Sequence, residues 1–403
     1  MDPASLTKLL SPAGQELLGQ LPPYSERSVL HVSEQLRARG VDADLVAAAL
    51  TQSRLRARAR AKFGERADAM VFTPDGLEQA TRHVVALQHA RRYADAGCRL
   101  VADLGCGLGG DALALSELGV PVLAVEADAT TAALAAANLR PYPTATVRPG
   151  DALALDLAAA GVDAVFADPA RRAGGRRVFD PAAYSPPLDA VLALRARVAA
   201  LGVKVAPGVP YAALPADAHA RWVSVDGDVV EAGLWFGAVA PEGPGRSAVL
   251  LTGGRADVLA EREDAAGAHA PDAPARTGEV RAPGGVLYEP DGAVIRAGLV
   301  ARVGELLGAG LLSEGIAYLT GDRLVATPFA TAYRVLDHFP FALKPLRAYL
   351  RARDVGALTI KKRGTAVEPE QLRRQLALKG SRPATIVLTR LGGRHSVLVV
   401  EPA

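Results

Sequence analysis

The chain has 403 residues, too many for one ordinary hydrophobic core, because single cores stop growing at about 250 to 300 residues; two or three domains are expected. Half of the residues are hydrophobic and 22% are charged, which excludes a disordered chain, and a net charge of +3 excludes a molecule that is polycationic throughout. Two cysteines, Cys98 and Cys106, exclude a disulfide framework and a four-thiolate zinc set, no basic-then-apolar leader opens the chain, and no apolar run is long enough for a span, so the expectation is a cytoplasmic protein with no membrane and no metal.

Residues 1–70 read as a helical region. Apolar residues recur at helical spacing, as in Val29, Val32 and Leu36 and again in Leu45, Ala48 and Leu50, with Asp42 placed as a cap. The last helix carries Arg54, Arg56, Arg58, Arg60 and Lys62, a run that reads first as a solvated face. From about residue 99 short apolar runs alternate with helical stretches, the pattern of a parallel sheet covered on both faces. Strands are predicted at 100–103, 120–126, 144–148, 163–167, 203–206, 222–225 and 234–239, the last two forming a hairpin. The fold class is therefore α/β, with a Rossmann-like seven-stranded sheet over 71–240.

Residues 241–285, rich in Ala, Pro, Gly and Asp, predict a linker or surface excursion. A connecting mixed segment follows at 286–340, with a helix near 297–307. Residues 341–403 predict a small α+β domain: helix 344–353, strand 358–362, helix 368–378, and a hairpin pairing 384–389 with 395–401 across Gly392 and Gly393.

The strongest local signal is Val101-Ala102-Asp103-Leu104-Gly105-Cys106-Gly107-Leu108-Gly109-Gly110-Asp111, where a strand hands over to a helix. Glycines there let the backbone bend tightly and approach a ligand. Gly105, Gly107 and Gly110 also satisfy the dinucleotide fingerprint, with Glu126 about 20 residues on. Charge weighs between the two ligands. A pyrophosphate at a helix N-terminus is poorly served by the flanking acids Asp103 and Asp111, whereas the sulfonium and ammonium groups of S-adenosylmethionine suit them. Glu126 ends the second strand, where an acid can accept from ribose hydroxyls, with Asp128 the second choice. Asp151 and Ala152 follow the third strand, where an adenine amino group can be met. Open sheets bind ligands at these carboxyl ends.

This ordered set resembles a class I S-adenosylmethionine-dependent methyltransferase, whose sheet also ends in a hairpin. The run from Phe72 to Thr81, with Thr73 and Gln79, resembles the segment that approaches the methionine end of the cofactor in several nucleic-acid methyltransferases. With Thr359-Ile360-Lys361-Lys362-Arg363-Gly364 and Val387-Leu388-Thr389-Arg390, the chain is similar to bacterial methyltransferases that carry a THUMP-like C-terminal domain, a likeness covering most of it from about residue 70. The resemblance implies structured RNA as partner, tRNA or rRNA ahead of DNA.

After the fourth strand comes Asp168-Pro169-Ala170-Arg171-Arg172. Enzymes that methylate base amino groups carry Asp or Asn, two prolines and an aromatic residue here, the carboxylate and a backbone carbonyl orienting the amine for in-line transfer. Asp168, Pro169 and Arg171 are the candidate catalytic set and Arg172 a substrate contact. Ala170 and Arg171 depart from the pattern. An arginine plane can stack on a base or pair with a phosphate, and Trp235, Phe236 or Tyr184 are the aromatic substitutes. Pyrimidine C5 methylation needs a thiolate nucleophile, and neither Cys98 nor Cys106 stands at a reaction loop. His338 beside Asp337 reads as structural.

From Phe341 to Ala403 there are thirteen Lys or Arg against Asp354, Glu368, Glu370 and Glu401, a difference of +9 in a chain whose total is +3. That is the footprint of a phosphate-docking module, with Lys361, Lys362, Arg363 and Arg390 as the candidate contacts. The first reading is an RNA base methyltransferase, acting by preference at an exocyclic amine. The alternatives are a small-molecule or protein methyltransferase, and an RNA-binding protein whose cofactor pocket does not turn over.

Overall fold

The computed structural model describes residues 3–170, 172–173, 176–177, 180–261 and 279–403. The chain divides into two compact units, Met1–Val209 with Gly233–Gly243, and Pro210–Ala232 with Pro244–Ala403. In chain order the strands are β1 (Val101–Leu104), β2 (Val122–Glu126), β3 (Ala145–Pro149), β4 (Ala164–Ala167), β5 (Arg172–Ala173), β6 (Arg176–Arg177), β7 (Ala200–Val205), β8 (His219–Val225), β9 (Asp228–Gly237), β10 (Gly245–Thr252), β11 (Arg255–Ala260), β12 (Val286–Pro290), β13 (Gly310–Ser313), β14 (Ile316–Gly321), β15 (Ala330–Pro340), β16 (Val355–Lys362), β17 (Arg382–Leu391) and β18 (Arg394–Pro402).

In the first unit the order is β9–β7–β4–β1–β2–β3, with β9 represented by its Gly233–Gly237 end. β1, β2, β3, β4 and β7 are mutually parallel. β1 and β4 are buried along their whole length, which is why they read as unbroken apolar runs. The chain builds β2 and β3 on one side of β1 and then crosses to β4 on the other. The direction of winding therefore reverses between β1 and β4, and their carboxyl ends form the crevice where such sheets take ligands.

The N-terminal helices Pro3–Leu10, Pro12–Gln20, Val29–Ala38 and Ala43–Phe63 share this unit's core through Leu9, Leu17, Leu36, Leu55 and Phe63. Asp42 caps the fourth, its side chain accepting from the Leu45 amide and so satisfying one of the helix's free N-terminal donors. The basic run on that helix is more than a solvated face. Arg56 Nε donates to Met70 O, Arg60 pairs with Asp68 at 2.6 Å, and Lys62 reaches three backbone carbonyls.

The expected linker needs correction. Its first part forms β10 and β11, an antiparallel pair turning at Gly253 and Gly254, with β10 parallel to β8. Among the described residues, β10 and β11 are thus strands beyond the seven that were expected. Residues 262–278 of the same stretch lie outside the described residues. β8 and β9 do form the predicted hairpin, turning at Asp226 and Gly227, both at positive φ as a tight hairpin turn requires.

The second unit's other sheet has the order β13–β14–β12–β15–β18–β17–β16. Segment 286–340 is thus not a connection beside the C-terminal domain but part of its sheet, because β15 pairs along β18. The helix expected near 297–307 is two, Gly292–Arg296 and Val300–Leu307, parted at Gly298 with φ +74°. Period-two alternation along β17 gives the sheet two buried faces. Ile386 and Leu388 meet Leu346 and Leu350 of helix Leu343–Ala352 and Leu372 and Leu376 of helix Pro369–Leu376, while Val387 joins Leu287, Tyr318 and Tyr333 on the other side.

Candidate active site

The glycine loop leaves β1 and enters helix Gly110–Glu117. Gly107 stands at φ +55°, and a Cβ placed there would touch nothing within 4 Å, so the loop lines an open cradle. Gly105, at φ +79°, comes close to the reaction loop, since its Cβ would lie 3.4 Å from the Asp168 carbonyl oxygen. Gly109, also at positive φ, is the N-cap of the helix. Glu126 turns back toward the loop, accepting from the Gly107 amide and from the Asp128 amide, each at 3.0 Å.

Asp103 is buried at 1% exposure, and its Oδ2 has no hydrogen-bond partner among the described residues. Burial, reinforced by the Asp111 and Asp168 carboxylates, pushes it well above the usual carboxylate range. Asp111 behaves oppositely. Burial works against its charge, but the hydrogen bond from His89, that residue's charge and Lys204 hold it below the usual range. Its Oδ1 is 2.8 Å from His89 Nδ1, and its Oδ2 accepts from Thr81 Oγ1 at 2.9 Å.

Lys204, near the end of β7, connects this acid to the reaction loop. Its ammonium donates to Thr81 Oγ1 at 2.8 Å and to Asp168 Oδ2 at 2.7 Å. The lysine side chain is 6% exposed and that of Asp168 24%, so the pair faces solvent only through the carboxylate. Asp168 Oδ1 has no partner among the described residues. A buried ion pair is weak evidence for stability, since apolar side chains of the same size pack as well. Its place at the carboxyl ends of β4 and β7 gives it a chemical meaning instead.

The run from Phe72 to Thr81 is held against the glycine loop by two buried amides. Asn138 accepts from the Val71 amide at 2.7 Å and donates to Val71 O and Leu108 O, while Gln52 pairs both ways with the Phe72 backbone. Thr73 caps helix Pro74–Gln79 through the Gly76 amide, and Gln79 is exposed. Lys62 grips the carbonyls of Leu77, Glu78 and Ala80, and its burial, helped by the charges of Lys204 and Arg82, lowers it to about 8.

Other expected residues fall apart from this cluster or face elsewhere. Asp128 caps helix Ala129–Leu139 through Thr131, which holds it below the usual carboxylate range. Asp151 is exposed and caps its own turn at Leu153, with Ala152 half-buried beside it. Pro169 is buried. Arg171 lies outside the described residues, and Arg172 is placed by its backbone in β5. The aromatic substitutes are core residues: Trp235, Phe236 and Tyr184 are all 5% exposed or less, and Trp235 stacks with Phe166. They are too deeply packed to receive a base. Burial pushes Cys98 up to about 11 and raises Cys106 well above the usual thiol range, so neither is a ready thiolate. Lys361 and Arg363 pair with Glu289, Lys362 with Glu368, and Arg390 donates to Gly364 O.

Sequence reasoning missed Lys204, His89, Gln52 and Asn138, and it placed Thr81 at the end of the approaching segment without seeing its bonds to Asp111 and Lys204. Among the described residues no three His, Cys, Asp or Glu side chains gather as metal ligands, and no helix is long and apolar enough to cross a membrane. The residues present fit a cationic cofactor: an orphaned buried carboxyl oxygen on Asp103, an open cradle at Gly107, and Glu126 at the end of β2.

Known proteins agree. A methyltransferase-domain profile matches residues 102–169, a THUMP domain-like profile residues 330–402, and a domain of unknown function residues 2–59. The crystal structure of a candidate methyltransferase from Porphyromonas gingivalis W83 shares the fold, with a TM-score of 0.74 at 20% identity, over 95% of this chain and 100% of that one. The chain is 37% identical over 353 residues to an uncharacterized S-adenosylmethionine-dependent methyltransferase of Mycobacterium tuberculosis, present in two strains, a match covering 84% of this chain and 91% of the relative. The chain belongs to the S-adenosylmethionine-dependent methyltransferases and carries a THUMP-like domain at its C-terminus.

Proposed function

We propose that this methyltransferase acts on RNA, tRNA or rRNA, and that Asp168 receives the acceptor, an exocyclic amine of a base. The observation that carries the reading is the state of Asp168: a quarter-exposed carboxylate beside the glycine loop, with Oδ2 fixed by Lys204 and Oδ1 without a partner among the described residues. When bound, S-adenosylmethionine supplies an electrophilic methyl group. Asp103, Gly105, Gly107, Gly109 and Glu126 would hold it, with Thr73 and Asp111 lending support from the flanking helices. Asp168 Oδ1 and the Asp168 carbonyl offer two acceptors for the hydrogens of an amine, which aims its lone pair without a strong base. Lys204 holds the Asp168 side chain in one orientation through its hydrogen bond to Oδ2. The likeness to THUMP domains and the +9 balance of residues 341–403 support RNA as the source of that amine.

The test is transfer of a radiolabelled methyl group to total RNA by the wild type and by Asp168→Ala. The expected result is label in RNA, falling about 100-fold in the variant, the scale set by loss of one positioning group. Label confined to small metabolites or protein overturns the RNA reading. Undiminished RNA labelling by Asp168→Ala overturns the site.

A further inference from the structure

The cations of the C-terminal domain are not equivalent once placed. Lys361, Lys362 and Arg363, the run that stands out in the sequence, are partly neutralised: Lys361 Nζ is 2.6 Å and Arg363 3.6 Å from Glu289, and Lys362 is 2.7 Å from Glu368. Lys361 and Arg363 also lie over the rings of Tyr333 and Tyr318. Their charge is met in part by acids and rings of the same domain.

Among the described residues a second set has no acid partners within ion-pair distance, although Arg353 lies over the Tyr349 ring. Stretches 347–354 and 374–382 hold Arg347, Arg351, Arg353, Arg374, Lys379 and Arg382 against one acid, Asp354. None of these six forms an ion pair among the described residues. Backbone and side-chain contacts draw them together. Arg347 donates to Gln375 O and Arg351 to Ala377 O at 3.4 Å, seating two guanidiniums on the end of helix Pro369–Leu376. The Arg382 amide donates to Asp354 O at 2.9 Å and the Gly380 amide to Val355 O at 3.2 Å, which lays 379–382 against 351–354. Asp354 itself is engaged by the Ser381 hydroxyl and amide.

Capping of helix carbonyls accounts for Arg347 and Arg351, since cations suit a helix C-terminus. It does not account for Arg374, Lys379 and Arg382, whose like charges repel one another unless an anionic partner offsets them. We infer that this end of the domain, and not the Lys361–Arg363 strand end, is the surface that docks RNA phosphates. The inference rests on the RNA reading above. Guanidinium forks match phosphate oxygens in pairs. None of the large hydrophobics exposed among the described residues falls in either stretch, so the face lacks the apolar side chains that a membrane-surface element inserts.

The experiment measures binding of unfractionated tRNA to the full-length chain across a KCl series, by anisotropy. One variant carries Arg374→Gln, Lys379→Gln and Arg382→Gln, all exposed positions; a second carries Lys361→Gln, Lys362→Gln and Arg363→Gln. The first is expected to bind at least tenfold more weakly near 0.1 M salt, with the log–log salt slope shallower by about 2, as loss of up to three phosphate contacts predicts. The second is expected to keep the wild-type slope. Wild-type binding that the first variant retains in full overturns this surface while leaving the RNA reading in place. Absence of salt-dependent tRNA binding by the wild type overturns both, and phosphatidylserine vesicles that bind the wild type more tightly than tRNA overturn RNA as the partner of this face.

Discussion

Asp103 is costly to the empty fold. Its side chain lies at the end of β1 with Oδ2 unpaired and the Asp111 and Asp168 carboxylates nearby, so it keeps its proton in the folded chain well above the usual range. In the unfolded chain it ionises near 3.8. The folded state thus holds one more proton between those two values, and stability falls as pH rises through that window. Asp103→Asn removes the effect. We expect the variant to melt above the wild type by roughly 2 to 4 °C, the shift that about 1 kcal/mol produces in a domain of 150 to 250 residues, and the gap to widen from pH 4 upward. The same variant should lose binding of S-adenosylmethionine, because a cation requires the ionised acid. Calorimetry in buffers of different ionisation enthalpy should show the wild type releasing a proton on binding. A variant that is no more stable, or that binds as the wild type does, would contradict this account of Asp103.

At the scale of elements, the segment from Val71 to Thr81 matters through what pins it. Asn138, inside helix Ala129–Leu139, satisfies the Val71 amide and carbonyl and the Leu108 carbonyl at once. Asn138→Ala strands buried backbone groups at about 1 to 3 kcal/mol each, so scanning calorimetry should show a lower melting temperature, together with cofactor affinity reduced about tenfold. Unchanged affinity in a folded variant would mean that the glycine loop holds its shape without this clamp. The strands of the first sheet and the glycine loop were legible because each is a local pattern: an apolar run of the right length, or glycines between a strand and a helix. The roles of Lys204, Thr81 and Asn138 were not, because one polar residue in a buried strand, at a helix approach or in an alanine-rich helix carries no periodic signal, and its meaning depends on partners 36 to 123 residues away. β10 was hidden differently. Its Ala-Val-Leu-Leu core sits between Gly-Pro-Gly and Thr-Gly-Gly, and the flanking composition outweighed the run itself.

Across the whole molecule, the two sequence signals that marked the chain lie in different units: the glycine loop in the first, the basic residues in the second. Their salt responses should differ accordingly. Binding of the cofactor by buried groups is little screened, whereas exposed charges answer to ionic strength within about 10 Å at 0.1 M. The excess of +9 in the last stretch of a chain whose total is +3 has a practical consequence. On a sulfonate resin at neutral pH the protein should elute much later than a monomer of evenly spread +3 charge, and crude preparations should absorb strongly at 260 nm until washed with concentrated salt. Bulk isoelectric behaviour would predict neither.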